Sequence, residues 1–167
     1  MDDARFVFCS QWHLDVTPRA TFDALADADS YPAWWPQVRS AQRLDDTSGE
    51  LRCRSLLPYE LVFVVHREIE DRAGGILRGR VAGDLSGWSQ WTVTADAEGT
   101  SAVFDEDVVV EKSLVRAAGR IARPLLRLNH DRMMRAGERG LRRHLAGADL
   151  HAPLRPWAPG TMKIRGR

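Results

Sequence analysis

Cysteine is scarce: a chain of 167 residues holds two, Cys9 and Cys53. Neither has a partner at zinc-ligand spacing, which argues against a structural zinc site and against a disulfide framework. Each lies in a strand-like run and reads as a small buried apolar residue in a reducing compartment. Long hydrophobic runs are also missing, and no stretch reaches the ~20 apolar residues of a membrane span. The opening MDDARFVFCSQW lacks the basic start and apolar core of a secretory signal, so the expected location is the cytoplasm. There is no glycine-rich phosphate loop and no nucleophile elbow. The histidines, His13, His66, His130, His144 and His151, are dispersed, with no pair at metal-ligand spacing. The expectation is a protein without metal or cofactor.

Charge is present but unevenly placed. The net charge of +1 conceals a balance of −10 over residues 1–111 and +11 over residues 112–167. Two readings fit the basic end. It attracts an anionic phospholipid surface, or it is a solvated arginine-rich face that offsets an acidic sheet in the same molecule. It lacks the interleaved aromatics that stack on bases, so nucleic acid is not an expected partner.

Hydrophobic periodicity organises the rest. At this length a single domain buries roughly two thirds of its unfolded surface. Phe6, Phe8, Trp12 and Leu14 alternate with Gln11 and His13, the pattern of a half-buried strand. Thr17-Pro18 then opens a short helix through Leu25 as N-cap and first helical residue. The proline-bounded YPAWWP segment from Tyr31 has room for a turn or two of helix. Strands are expected at about 37–45, 49–57, 60–71, 75–84, 87–97 and 100–111, separated by turn chemistry such as Asp45 to Gly49 and Ala73-Gly74-Gly75.

A long amphipathic helix follows from Ser113 to Leu145. Leu114, Ala118, Ile121, Leu125, Asn129, Met133, Gly137, Leu141 and Leu145 recur at three- and four-residue spacing along it. Pro124 either kinks this helix or marks its true start. The predicted architecture is α+β: a seven-stranded curved antiparallel sheet with two short helices and a long C-terminal helix enclosing a cavity. It divides into a domain over 1–147 and a basic, proline-rich tail over 148–167 in which Trp157 is the residue able to dock.

That order of elements is the order of the helix-grip fold. The segment TFDALADADSYPAWWPQV resembles the signature of the START-like superfamily, which contains polyketide cyclases and lipid transfer domains. LPYELVF and ARPLLRLNHDRMMRAGERGLRRHL are similar to bacterial members of the polyketide cyclase/dehydrase type. The resemblance spans about residues 5–147. It implies a ligand chamber between sheet and helix, and leaves activity open because carriers, cyclases and other enzymes share that fold.

Inward positions follow from alternation. Ala102, Phe104, Glu106, Val108 and Val110 share one face, which places Glu106 in the chamber as a hydrogen-bond acceptor or general base. It is the best candidate for a catalytic residue. Arg67 shares parity with Leu61, Phe63, Val65 and Ile69, and an Arg67–Glu106 pair would satisfy both charges. Asn129 interrupts the helix stripe and needs a ligand, water or strand carbonyl as partner, whereas His130 and His66 are expected at the surface. Gly137 and Gly140 each cost about 1 kcal/mol of helix propensity, a cost expected to be offset by close approach of helix to sheet. Trp12, Trp34, Phe63, Trp91, Phe104 and Met133 are the expected apolar walls, together with Trp35 and Met134. Two functions remain in play: binding of a small hydrophobic molecule (a lipid, a sterol-like compound or an aromatic polyketide), and a cyclase/aromatase that folds a poly-ketone chain in the same space.

Overall fold

Alternating apolar residues fold the chain into seven strands. The computed structural model describes residues 5–54, 59–111 and 119–149. The strands are β1 (Arg5–Leu14), β2 (Val38–Arg43), β3 (Ser48–Arg54), β4 (Glu60–Asp71), β5 (Ile76–Gly83), β6 (Leu85–Ala95) and β7 (Thr100–Val110). They form one antiparallel sheet in the order β1-β7-β6-β5-β4-β3-β2. The two strands that come first in sequence therefore occupy opposite edges. Between them α1 (Pro18–Ala26), a 3-10 turn (Ala28–Ser30) and α2 (Tyr31–Trp34) carry the chain from one edge to the other. Thr17 caps α1 as expected, its side chain accepting from the Ala20 N–H, with Pro18 opening the helix. Gly75 supplies the positive φ of 69° that the β4–β5 turn requires.

The C-terminal helix, α3, runs over Gly119–Asp149 with Pro124 inside it. The expected start at Ser113 and the expected tail, Trp157 included, lie outside the described residues. So do residues 55–57 of the expected third strand. Within α3 the buried positions among those described are His130, Met134, Gly137, Gly140, Leu141 and Leu145, with Leu126 half-buried. The stripe read from the sequence is out of phase in the first half of the helix. Leu125 is 47 % exposed rather than buried, and His130 rather than Asn129 faces inward.

The core is an aromatic cluster where β1, α2, β6 and α3 meet. Trp12 lies 4.6 Å from Trp91 and 5.4 Å from Trp35, ring centre to ring centre, and Trp34 stacks on Trp35 at 5.4 Å. The Trp35 indole N–H donates to the Met133 carbonyl at 3.0 Å, and the Tyr31 hydroxyl to the Leu25 carbonyl at 2.6 Å. The glycines of α3 admit this contact. A Cβ on Gly137 would fall 2.6 Å from Trp35 Cε2, and one on Gly140 would collide with the Trp34 carbonyl oxygen. The close approach is therefore mainly to α2, with Trp12 the sheet residue involved. Cys53 is buried as expected, but Cys9 is exposed, because it has the opposite parity to Phe6 and Phe8 on β1. Among the described residues no helix is long and apolar enough to cross a membrane.

Candidate functional site

Beside the tryptophan cluster the concave face is not filled. A cavity of about 190 Å³ lies over β2–β7 and under α1 and α2. Leu25, Tyr31 and Trp35 form its roof, Leu51, Phe63 and Trp91 its sides, and Phe104 and Glu106 its inner end. The rim includes the β2–β3 turn. There Asp45 accepts from the backbone and hydroxyl groups of Thr47 and Ser48, which holds its carboxyl well below the usual carboxylate range.

The sheet register gives the cavity a polar row. Glu106 on β7 is opposite Ser89 on β6, Ser89 is opposite Gly79 on β5, and Gly79 is opposite Arg67 on β4. All four line the cavity. Three strand spacings separate Glu106 from Arg67, roughly 14 Å. The expected Arg67–Glu106 pair therefore does not form, because alternation along a strand does not give the number of strands between two residues. Ile69, expected on the face of Arg67, is 42 % exposed, because the register shifts between the two. Arg67 is near the rim, donating to Glu70 and to the Asp46 carbonyl, each at 2.5 Å. Between the charged ends only Ser89 and Gly79 occupy the row, and small residues leave that floor clear.

Glu106 has a different partner, His130, which rests on β1 and β7 from α3. Its Nε2 lies 3.4 Å from Glu106 Oε2, with the two side chains 10 % and 12 % exposed. The approach is within ion-pair reach but poorly aligned for a hydrogen bond, and both ring nitrogens are buried without a hydrogen-bond partner. Phe8, opposite Glu106 in the β1–β7 register, stacks on the imidazole at 3.8 Å and 9°. Leaving a buried polar group unpaired costs about 1–3 kcal/mol. A ligand hydroxyl reaching the ring would recover part of it. Burial pushes the Cys53 thiol, also on the cavity wall, up to about 12, and the charges of Glu106 and Glu60 act in the same direction.

Of the walls expected from sequence, Phe63, Arg67, Trp91, Phe104 and Glu106 line the cavity. Trp12 and Trp34 do not; they are 1 % and 4 % exposed, in the solid core. Met133 packs half-buried against that core, and Asn129 is half-buried on α3. Neither lines the cavity. His66 is exposed as expected, but His130 is buried beside Glu106. Among the described residues no cluster of three or more His, Cys, Asp or Glu is arranged to hold a metal.

This curved sheet with two short helices and one long C-terminal helix is the helix-grip architecture, but the cavity expected between sheet and C-terminal helix is walled by the sheet, α1 and α2, with no described residue of α3 in its lining. Residues 6–146 match the family described as polyketide cyclase/dehydrase and lipid transport, and the chain belongs to it. No curated protein matches the sequence. Solved structures share the fold at low identity. TTHA0849 from Thermus thermophilus superposes with a TM-score of 0.72 and 14 % identity, covering 86 % of this chain and 98 % of that one. The ZhuI aromatase/cyclase from a Streptomyces species gives 0.68 and 16 %, covering 89 % and 96 %. A START superfamily protein from Mycobacterium smegmatis gives 0.66 and 13 %, covering 86 % and 98 %.

Proposed function

We propose that the chain binds a small hydrophobic molecule lying across the sheet, with a hydroxyl at Glu106 and a carbonyl or carboxylate toward Arg67. The observation that carries this reading is the row Glu106, Ser89, Gly79, Arg67 beneath apolar walls. Apolar burial supplies the affinity, at roughly 25 cal/mol per Å². The two charged ends select and orient the polar atoms. Membership of a family described by both cyclisation and lipid transport agrees with such a ligand. Native mass spectrometry followed by denaturing extraction tests the reading by showing whether the purified protein carries such a molecule.

A cyclase is the second reading, and one observation favours it: the imidazole beside Glu106, shielded from water. In a poly-ketone the carbon between two carbonyls carries an acidic proton. Glu106 would take that proton as general base, with His130 Nε2 in reach to receive it, while the cavity walls hold the resulting carbanion against a second carbonyl carbon; as the C–C bond forms the C=O π bond opens, and the alkoxide takes the proton back. The ZhuI neighbour, an aromatase/cyclase by name, has the same fold. Replacing Glu106→Gln separates the two readings. Loss of turnover with ligand affinity kept within a few fold supports the enzyme; an equal loss of both removes it.

A further inference from the structure

The outer face of α3 borders a second concavity, separate from the first. Arg132, Arg135 and Arg139 follow at three- and four-residue spacing and so project from one side of the helix. Together with Arg54 from the end of β3 and with Pro36 and Gln37, they line a groove of about 500 Å³. Its shape is set by three contacts. The Trp35 indole holds the Met133 carbonyl, Gly140 seats α3 on the Trp34 backbone, and the Arg54 N–H donates to the Gln37 carbonyl at 2.8 Å.

These guanidinium groups differ from most other arginines that precede α3. Arg5, Arg43, Arg52, Arg67, Arg72 and Arg80 each have a carboxylate partner. Arg54, Arg132, Arg135 and Arg139 have none among the described residues. The nearest carboxylates on α3 do not offset them: Glu138 is engaged by Arg142 and the His13 N–H, and Asp131 is exposed and does not line the groove. At the base the Gln37 side-chain oxygen is buried without a hydrogen-bond partner, an acceptor suited to a hydroxyl on the ligand. Arg54 has Glu60 opposite it in the β3–β4 register, whereas Arg132, Arg135 and Arg139 gather like charges on one side of α3, a field that favours an anion. Arginine forks match phosphate oxygens in pairs.

We infer that this groove binds a phosphate group borne on a hydroxylated carrier, either a soluble phosphate ester or the headgroup of an anionic phospholipid. The test compares wild type with Arg135→Gln/Arg139→Gln and with a control of equal charge loss, Arg127→Gln/Arg143→Gln, outside the groove. The folded state of each is checked by its melting curve. Inorganic pyrophosphate is titrated by calorimetry at low salt, and vesicles of phosphatidylcholine with phosphatidylglycerol are tested by co-sedimentation. Pyrophosphate affinity that falls at least about tenfold in the groove variant alone supports the site with a soluble source. Vesicle binding lost in the groove variant alone supports it with a lipid source. Absence of binding in both arms, or equal losses in groove and control variants, overturns it.

Discussion

The two halves of α3 face the same sheet and do different things. In the second half Leu141 and Leu145 are 0 % and 7 % exposed and two glycines let α2 lie against the helix. In the first half Leu125 and Leu128 are 47 % and 48 % exposed, and His130 is buried. The second half closes the fold by packing, whereas the first holds a polar side chain behind the cavity. Rigidity and binding capacity are thus separated along one helix, with the tryptophan cluster as the fixed point.

Removing the fixed point should have the largest effect. Trp12→Ala deletes a side chain that touches both Trp35 and Trp91, and is expected to destabilise by about 3–5 kcal/mol in chemical denaturation. Next comes Gly140→Ala, which drives a methyl group into the Trp34 carbonyl. Overpacking against rigid backbone should outweigh the ~1 kcal/mol gain in helix propensity and leave a net loss of at least about 2 kcal/mol. A more stable variant would show that the clamp is loose. In the other half of the helix, Leu125→Ser with Leu128→Ser should change stability by less than about 0.5 kcal/mol each, measured in the same way.

The cysteines sharpen the contrast chemically. Burial pushes the Cys53 thiol up to about 12 from an ordinary 9.0, so it stays neutral and protected at physiological pH. A thiol reagent should modify exposed Cys9 in the native protein and Cys53 only after unfolding. Because the fold opposes ionisation of Cys53, its contribution to stability is complete below pH 9 and declines as pH rises from there toward 12. Cys53→Ser should flatten that alkaline decline, as followed by melting temperature against pH.

Strand positions were legible because one face of each strand is buried, and a period of two leaves little choice of register. The helix was harder. Leu125, Asn129 and Met133 offer the same kinds of side chain as Leu126, His130 and Met134, so composition alone could not choose between the phases. Geometry could have chosen. At about 100° per residue, each four-residue step advances about 40° around the helix, so Leu125 ends roughly 200° from Leu145. The phase through His130 contains a three-residue step, Met134 to Gly137, that turns back. Applying this drift to the sequence would have placed His130 inward. For Glu106 and Arg67 alternation gave the correct face, but their separation depends on strand order, which no local pattern contains.

The proposed function rests on a small hydrophobic molecule held in the cavity. Its most direct test is native mass spectrometry of wild type beside Leu51→Trp, a substitution that fills the cavity wall. One small hydrophobic molecule per chain on the wild type and none on the filled variant is the predicted result. A bare wild type, or an adduct that survives the filling, would contradict it.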